Sequence, residues 1–359
     1  MKTSMAAFAL LATASAVSAQ SSVSVYGVID SAYAHGSGSL TSRSFLTSGA
    51  NTTSRIGFRG TEDLGGGLTA GFVLESQVFV DTGEGQPSNS NNQTTGTSTA
   101  PAGTQGLTFA RRSTVSLTGG FGELRLGRDF TAHYRNRVEV DPFGNAGVGS
   151  IQPFAGSIGG VISTRASNMI GYFLPPKLGG IYGQVQHYMG ENPSGTATSK
   201  NGTGNSIRLG FANGPVNVSV GYGRTSYNTT ATTGDITTTN LGAQYDLGFV
   251  RLMGGLYRDR VAQLVPIKAK GYTIGGIVPV GAGEIKFALS QYGTDSGALH
   301  PDVKKLSAGY VYNLSKRSAL YATLARVSNT GGSAVSLNQT TTAPNTKSTG
   351  FDVGMRHLF

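Results

Sequence analysis

The chain has 359 residues with a formal net charge of +10; 54 are Gly, none is Cys or Trp, and only 13% are charged. Without Cys there is neither a disulfide framework nor a thiolate for metal or nucleophile chemistry. A mean hydropathy of −0.10, with no apolar run of about 20 residues, excludes spanning helices.

The first 19 residues read as an export signal: Lys2 supplies the positive start, Met5 to Val17 a small-apolar stretch, and Val17-Ser-Ala19 a cleavage end. The predicted division is therefore a signal over 1–19 and a single domain over 20–359. A basic excess outside the cytoplasm points to small anions or anionic lipid head groups rather than nucleic acid.

From there on helical periodicity is nearly absent and alternation by twos recurs. In Val216 to Tyr222, Val216, Val218, Val220 and Tyr222 share one face while Asn217, Ser219 and Gly221 share the other. The segments 207–211, 250–252, 284–290, 306–312 and 351–355 behave alike, with Gly, Ser, Asn, Arg or Lys on the second face. Seven short turns, near 63–67, 119–122, 175–179, 213–215, 246–248, 280–283 and 313–316, alternate with eight long polar connections. Those run near 35–53, 82–106, 131–166, 192–204, 228–235, 262–270, 294–302 and 329–347, which predicts about sixteen strands. An even number of antiparallel strands, tight turns on one side and long loops on the other describe an all-β transmembrane barrel of the bacterial outer membrane, with both termini on the short-turn side.

The longest interruption, Thr131 to Ala166, is too polar and turn-rich to be a helix buried in a core, and a segment of this length inside a compact domain is usually functional. Aromatic residues (Phe121, Phe211, Tyr245, Phe249, Tyr310, Tyr312) cluster at strand ends, as interfacial girdles do. The final segment alternates through 351, 353, 355, 357 and 359 and ends on Phe359.

Parity assigns the charges. Ile56 and Phe58 face outward, so Arg55 and Arg59 face inward; Arg125 faces inward between Leu124 and Leu126. Arg208, Arg251, Lys286, Lys305 and Arg356 follow, against fewer inward acids, Glu75, Asp246 and Glu284. Parity with Val115 and Leu117 places Arg111 outward and Arg112 inward, unless a bulge reverses the pair. The five histidines show no metal spacing, and no nucleophile elbow or phosphate loop occurs, so no catalytic, cofactor or metal residue is assigned.

Several stretches resemble the general porins of Gram-negative outer membranes: Gln20 to Asp30 (QSSVSVYGVID), Ser54 to Leu68 (SRIGFRGTEDLGGGL), Arg111 to Leu117 (RRSTVSL), Phe121 to Asp129 (FGELRLGRD) and Gly354 to Phe359 (GMRHLF). The likeness covers the whole mature chain and is strongest to the anion-selective branch. It implies a sixteen-stranded barrel, three per assembly, whose third long loop, here 131–166, folds into the lumen. It implies pore arginines at Arg55, Arg111 and Arg165, with a pore acid at Glu75, and leaves Arg112 as a candidate subunit contact. Glu139 and Asp141, in the run EVDPFG, would oppose the basic wall. Phe359 matches the residue read by the barrel-assembly machinery, although Leu358 departs from the polar residue usual beside it. The implied partners are further copies of the chain as a homotrimer, outer-membrane lipid and lipopolysaccharide, and small anionic solutes. The expected activity is passive diffusion of small hydrophilic solutes with anion preference. A channel dedicated to one organic or phosphate-like anion is the alternative within the class, and a surface-acting barrel enzyme the rival outside it.

Overall fold

The computed structural model describes residues 22–89, 92, 106–151 and 164–359; the expected signal over 1–19, most of the connection near 82–106 and the stretch 152–163 lie outside the described residues. The described strands are β1 (Ser22–Ser37), β2 (Ser42–Ser48), β3 (Arg55–Gly65), β4 (Leu68–Phe79), β5 (Glu84–Gly85), β6 (Arg112–Gly119), β7 (Gly122–Phe130), β8 (Arg165–Phe173), β9 (Ile181–Tyr188), β10 (Gly204–Asn213), β11 (Val216–Thr225), β12 (Ile236–Asp246), β13 (Arg251–Val261), β14 (Ile267–Val280), β15 (Gly283–Asp295), β16 (Asp302–Asn313), β17 (Ser318–Thr330) and β18 (Lys347–Leu358). Between β7 and β8 lies one helix, α1 (Ala132–Glu139).

Two of these strands are additions to the wall. β2 doubles back on the far half of β1, and β5 pairs only with the end of β4. The remaining sixteen form one antiparallel ring, closed where β18 pairs with β1 from Val28↔Leu358 to Ser37↔Thr349. Closure gives every wall strand a partner on both sides, except for the first few residues of β1, which pair with β3 alone, and removes the long edges an open sheet would leave. All seven expected short turns fall between paired wall strands. The ends of the described chain lie beside them: Ser22 pairs with Thr61, just before the β3–β4 turn, and Leu358 N–H donates to the carbonyl of Arg317, in the turn after β16, at 2.9 Å.

Alternation sorts the two faces as read from the sequence. Along β11 the outward Val218, Val220 and Tyr222 are exposed, while Ser219, Gly221 and Gly223 are buried. The same apolar exposure runs round the ring through Leu209, Leu241, Leu256, Ile274, Leu306, Leu324 and Val353. A continuous apolar band of this extent is far larger than a soluble monomer leaves in water, and lipid is its natural cover.

The opposite face is polar for most of its height, but its long-loop end carries Tyr257, Val261, Ala269, Tyr292, Val303 and Val327, packed with Val148, Ile151 and Leu337 from the connections. On this cushion, and on inward glycines beside it, lies the described part of the long segment 131–166. α1 packs against β10, β11 and β12. The chain then passes Val140 over Gly242 of β12, Pro142 over Gly275 of β14 and Val148 over Gly350 of β18, where a Cβ on each glycine would come within 2.7, 2.9 and 2.9 Å of those side chains. The helix corrects the expectation that the segment holds none. Its polar residues are acceptable in burial because the surface beneath it is itself polar: Asn136 donates to Asn240, and the His133 N–H donates to Ser206 Oγ at 3.1 Å.

Candidate functional site

Three arginines and one glutamate from four places in the chain meet on the polar face. Glu75, on β4, accepts from Arg111 Nε at 2.6 Å through Oε1 and from the Tyr26 hydroxyl at 3.1 Å through Oε2. Arg55, at the start of β3, stands 3.4 Å from the same Oε2 and donates its Nη1 to the carbonyl of Thr53. Arg165, the first residue of β8, lies within electrostatic reach of Arg111 and Glu75, with its guanidinium 4.2 Å above the Phe130 ring. Phe130 stacks in turn on Tyr134 of α1 at 5.4 Å, so the helix fixes the platform under Arg165. Arg55, Glu75, Arg111 and Arg165 line one cavity of about 820 Å³, to which segment 131–166 contributes Val138 and Phe143.

The Arg111 question resolves by the register. β6 begins at Arg112, so Arg111 precedes the strand and escapes its parity; its backbone N–H donates to the Glu75 carbonyl and its side chain is buried. Arg112 keeps the parity of the buried Thr114 and points to the same side, donating to Thr114 Oγ1 and approaching Asp129 at 3.7 Å. That removes Arg112 from the outer surface, where a subunit contact would have needed it.

The other expected pore charges are distributed unequally. Arg59 is exposed and sits 5.1 Å over the Tyr26 ring. Arg125 is on the polar face but bonded to both Glu123 and Asp129, and packed 3.9 Å over Phe173, so its charge is balanced locally. Glu139, at the end of α1, takes a two-pronged contact from Arg208 of β10. Asp141 is buried and accepts the backbone N–H groups of Phe143, Asn145 and Ile151. Burial pushes its carboxyl up, and those N–H groups with Lys305 pull it back. It shapes the loop from within instead of presenting a free charge.

Arg128 also lines the cavity, and alternation alone does not find it. By parity it should face outward between Gly127 and Asp129, but the β7–β8 ladder slips there, with Gly127 at φ +121°. The bulge turns Arg128 inward, where Nε donates to the Ala110 carbonyl at 2.7 Å and Nη1 to Ser167 Oγ at 2.8 Å. A Gly-Arg-Asp run interrupting the Leu124/Leu126 alternation is the signal that marks it.

Known proteins share this fold. A family model described as Gram-negative porin matches residues 6–332. The chain belongs to the Gram-negative porin family, whose members are channels of the outer membrane. Outer membrane porin protein 32 of Delftia acidovorans is 36% identical over 378 residues, covering all of both chains. An outer membrane porin of Bordetella pertussis is 28% identical, also over the full length of both. Among solved structures, an anion-selective porin from Comamonas acidovorans superposes with a TM-score of 0.82 at 32% identity, over 95% of this chain and all of that one. OmpT of Vibrio cholerae, 13% identical, shares the fold at a TM-score of 0.66 over 94% of this chain and 98% of its own. The outer membrane is therefore where this porin works.

Proposed function

We propose that this porin is a water-filled passive channel for small hydrophilic solutes, that it prefers anions, and that it carries out no chemistry on them. The observation that carries the reading is the set of guanidinium groups, Arg55, Arg111, Arg128 and Arg165, lining one cavity in which Glu75 is the carboxylate paired with Arg55 and Arg111, while the other lining acid, Asp141, is held by backbone N–H groups. The acids that could offset them are engaged elsewhere: Glu139 by Arg208, Asp129 by Arg125, and Asp141 by backbone N–H groups. A net positive field at a narrow, low-dielectric passage concentrates anions and repels cations. Segment 131–166 narrows the passage, and the 32% identical anion-selective porin supports the direction of selectivity.

The same reading takes residues 1–19 as the export signal, 20–359 as the barrel, and the working unit as a homotrimer assembled by the barrel machinery. Reversal potentials across planar bilayers under a KCl gradient test the selectivity. Replacing Arg55, Arg111 and Arg165 together by Ala should move the reversal potential toward cations at low salt. An unchanged potential in a folded triple variant refutes the arginine assignment.

A further inference from the structure

On the polar face the most deeply buried arginines, Arg111, Arg125, Arg137 and Arg208, each meet an acid. The outer face near the long-loop end is different. Arg258 and Arg260 on β13, and Lys268 and Lys270 on β14, are exposed, while the residues between them, Tyr257, Asp259, Val261 and Ala269, are buried on the opposite face. All four therefore point outward, toward lipid. The register sets Arg258 directly opposite Lys270, and Arg260 directly opposite Lys268. Like charges facing each other across a ladder destabilise it, so this arrangement does not serve the sheet. None of the four has an ion pair among the described residues. Asp295, cross-strand from Lys268, directs its carboxylate to the Gly297 N–H and to His300 instead.

Depth along the strands decides what these cations meet. On β14 the outward positions read Ile274, Tyr272, Lys270, Lys268 in the direction of the long loops. Ile274 is exposed apolar wall, and Tyr272 is the kind of amphipathic ring that settles at the edge of the hydrocarbon. Six residues of strand put Lys268 about 20 Å beyond Ile274 along β14, at head-group depth even with the strand tilted. On β12, Thr237 and Thr239 stand beside Arg260 and Arg258 and offer hydroxyl donors. Lys304, outward on β16 opposite Gln291, extends the basic surface.

We propose that Arg258, Arg260, Lys268 and Lys270 form a binding site for phosphate groups of a phosphorylated glycolipid in the outer leaflet. Two guanidinium forks and two ammonium groups in a compact block suit a head group carrying more than one phosphate, with the threonine hydroxyls reaching sugar or phosphate oxygens. The lipid relieves the cross-strand repulsion, and its acyl chains continue onto the apolar wall below Tyr272. The site lies outside the passage and is independent of the selectivity reading.

The test uses the full-length protein extracted from outer membrane in mild detergent, with retained phosphorylated glycolipid counted by native mass spectrometry. The variant R258Q/R260Q/K268Q/K270Q should retain at least fivefold less than wild type, with single-channel conductance and reversal potential unchanged. If it fails to fold, R258Q/K270Q should retain at least twofold less. K177Q/K316Q/R317Q, which removes exposed charge from the short-turn side, should retain the wild-type amount. In phosphatidylcholine vesicles, wild type should unfold at a higher temperature when a bisphosphorylated glycolipid is included, and not when inorganic phosphate alone is added. Wild-type retention by the four-residue variant overturns the proposal. So does equal loss in the short-turn control, an equal effect of inorganic phosphate, or loss of oligomer with lipid unchanged, which would make the patch a protein interface.

Discussion

At the scale of single residues, Glu75 is the counterweight in the cavity: it answers Arg55 and Arg111 and is felt by Arg165. Glu75→Gln keeps an acceptor for Arg111 but removes the charge, so anion preference should rise several-fold at low salt. The Debye length falls from about 10 Å at 0.1 M to about 3 Å at 1 M, and the difference from wild type should shrink accordingly. Reversal potentials at both salts check this; equal potentials for Glu75→Gln and wild type at 0.1 M would show that the carboxylate does not face the permeating ions. His133 offers a second residue-scale outcome. It is fully buried under α1, and burial, with Arg137 nearby, lowers its pKa to about 3. A His whose folded pKa is depressed favours the docked state fully above its free value near 6.5, and that contribution is lost as pH falls toward 3. At pH 5 the loss is about 2 kcal/mol, at 1.36 kcal/mol per pH unit. Because the chain has no Cys, a spin label on Val138→Cys reports α1 alone. Its mobility should increase between pH 7.5 and 5, and His133→Gln should flatten that response.

At the scale of elements, the wall strands were legible and the long segment was not. Alternation, turn residues and loop spacing are local signals, and they predicted the seven short turns and the outward set at Val218, Val220 and Tyr222. α1 left no comparable trace, because its buried side chains, His133, Tyr134, Asn136 and Arg137, are polar or amphipathic and contact distant strands. Arg137 lies 4.7 Å over the Tyr257 ring and 3.9 Å from Asp259, both on β13. What the sequence did hold was complementary: glycines on the inward parity of β11, β12, β14 and β18 mark where the segment lies. A Cβ at Gly223 collides with the His133 ring. Gly223→Ala should therefore lift α1 while leaving strand pairing intact, seen as noisier current and higher mean conductance with an unchanged circular dichroism spectrum. Removing 144–162 should go further, raising conductance and admitting larger uncharged sugars into liposomes. An unchanged sugar cut-off would place the segment away from the passage.

At the scale of the whole molecule, the barrel stands or falls on its seam. β18 pairs with β1 to close the ring; beyond the regular ladder, Phe359 N–H donates to the Gly27 carbonyl at 3.1 Å, and Gly27 N–H returns to the Phe359 carbonyl at 3.0 Å. The Phe359 ring lies directly over Gly27, so closely that a Cβ there would enter the ring. Below Gly27, β1 leaves β18 and pairs with β3 alone, from Tyr26↔Gly57 to Ser22↔Thr61. Phe359 thus ends the seam at the short-turn rim, exposed on the apolar side. Deleting it removes two backbone hydrogen bonds, each worth about 0.5–1.5 kcal/mol, and an aromatic anchor at the membrane edge. That is a small part of the ladder, so if Phe359 acted only through stability, a folded barrel should persist with a slightly lower unfolding temperature. If it is also the residue read during insertion, its deletion should abolish heat-resistant oligomers and leave protease-sensitive chain in the periplasm. Gly27→Ala separates the two. It disturbs the same contact but leaves the terminal Phe available, so it should lower thermal stability while oligomers still reach the outer membrane. Equal loss of outer-membrane oligomer in both variants would assign the whole effect to packing at the seam.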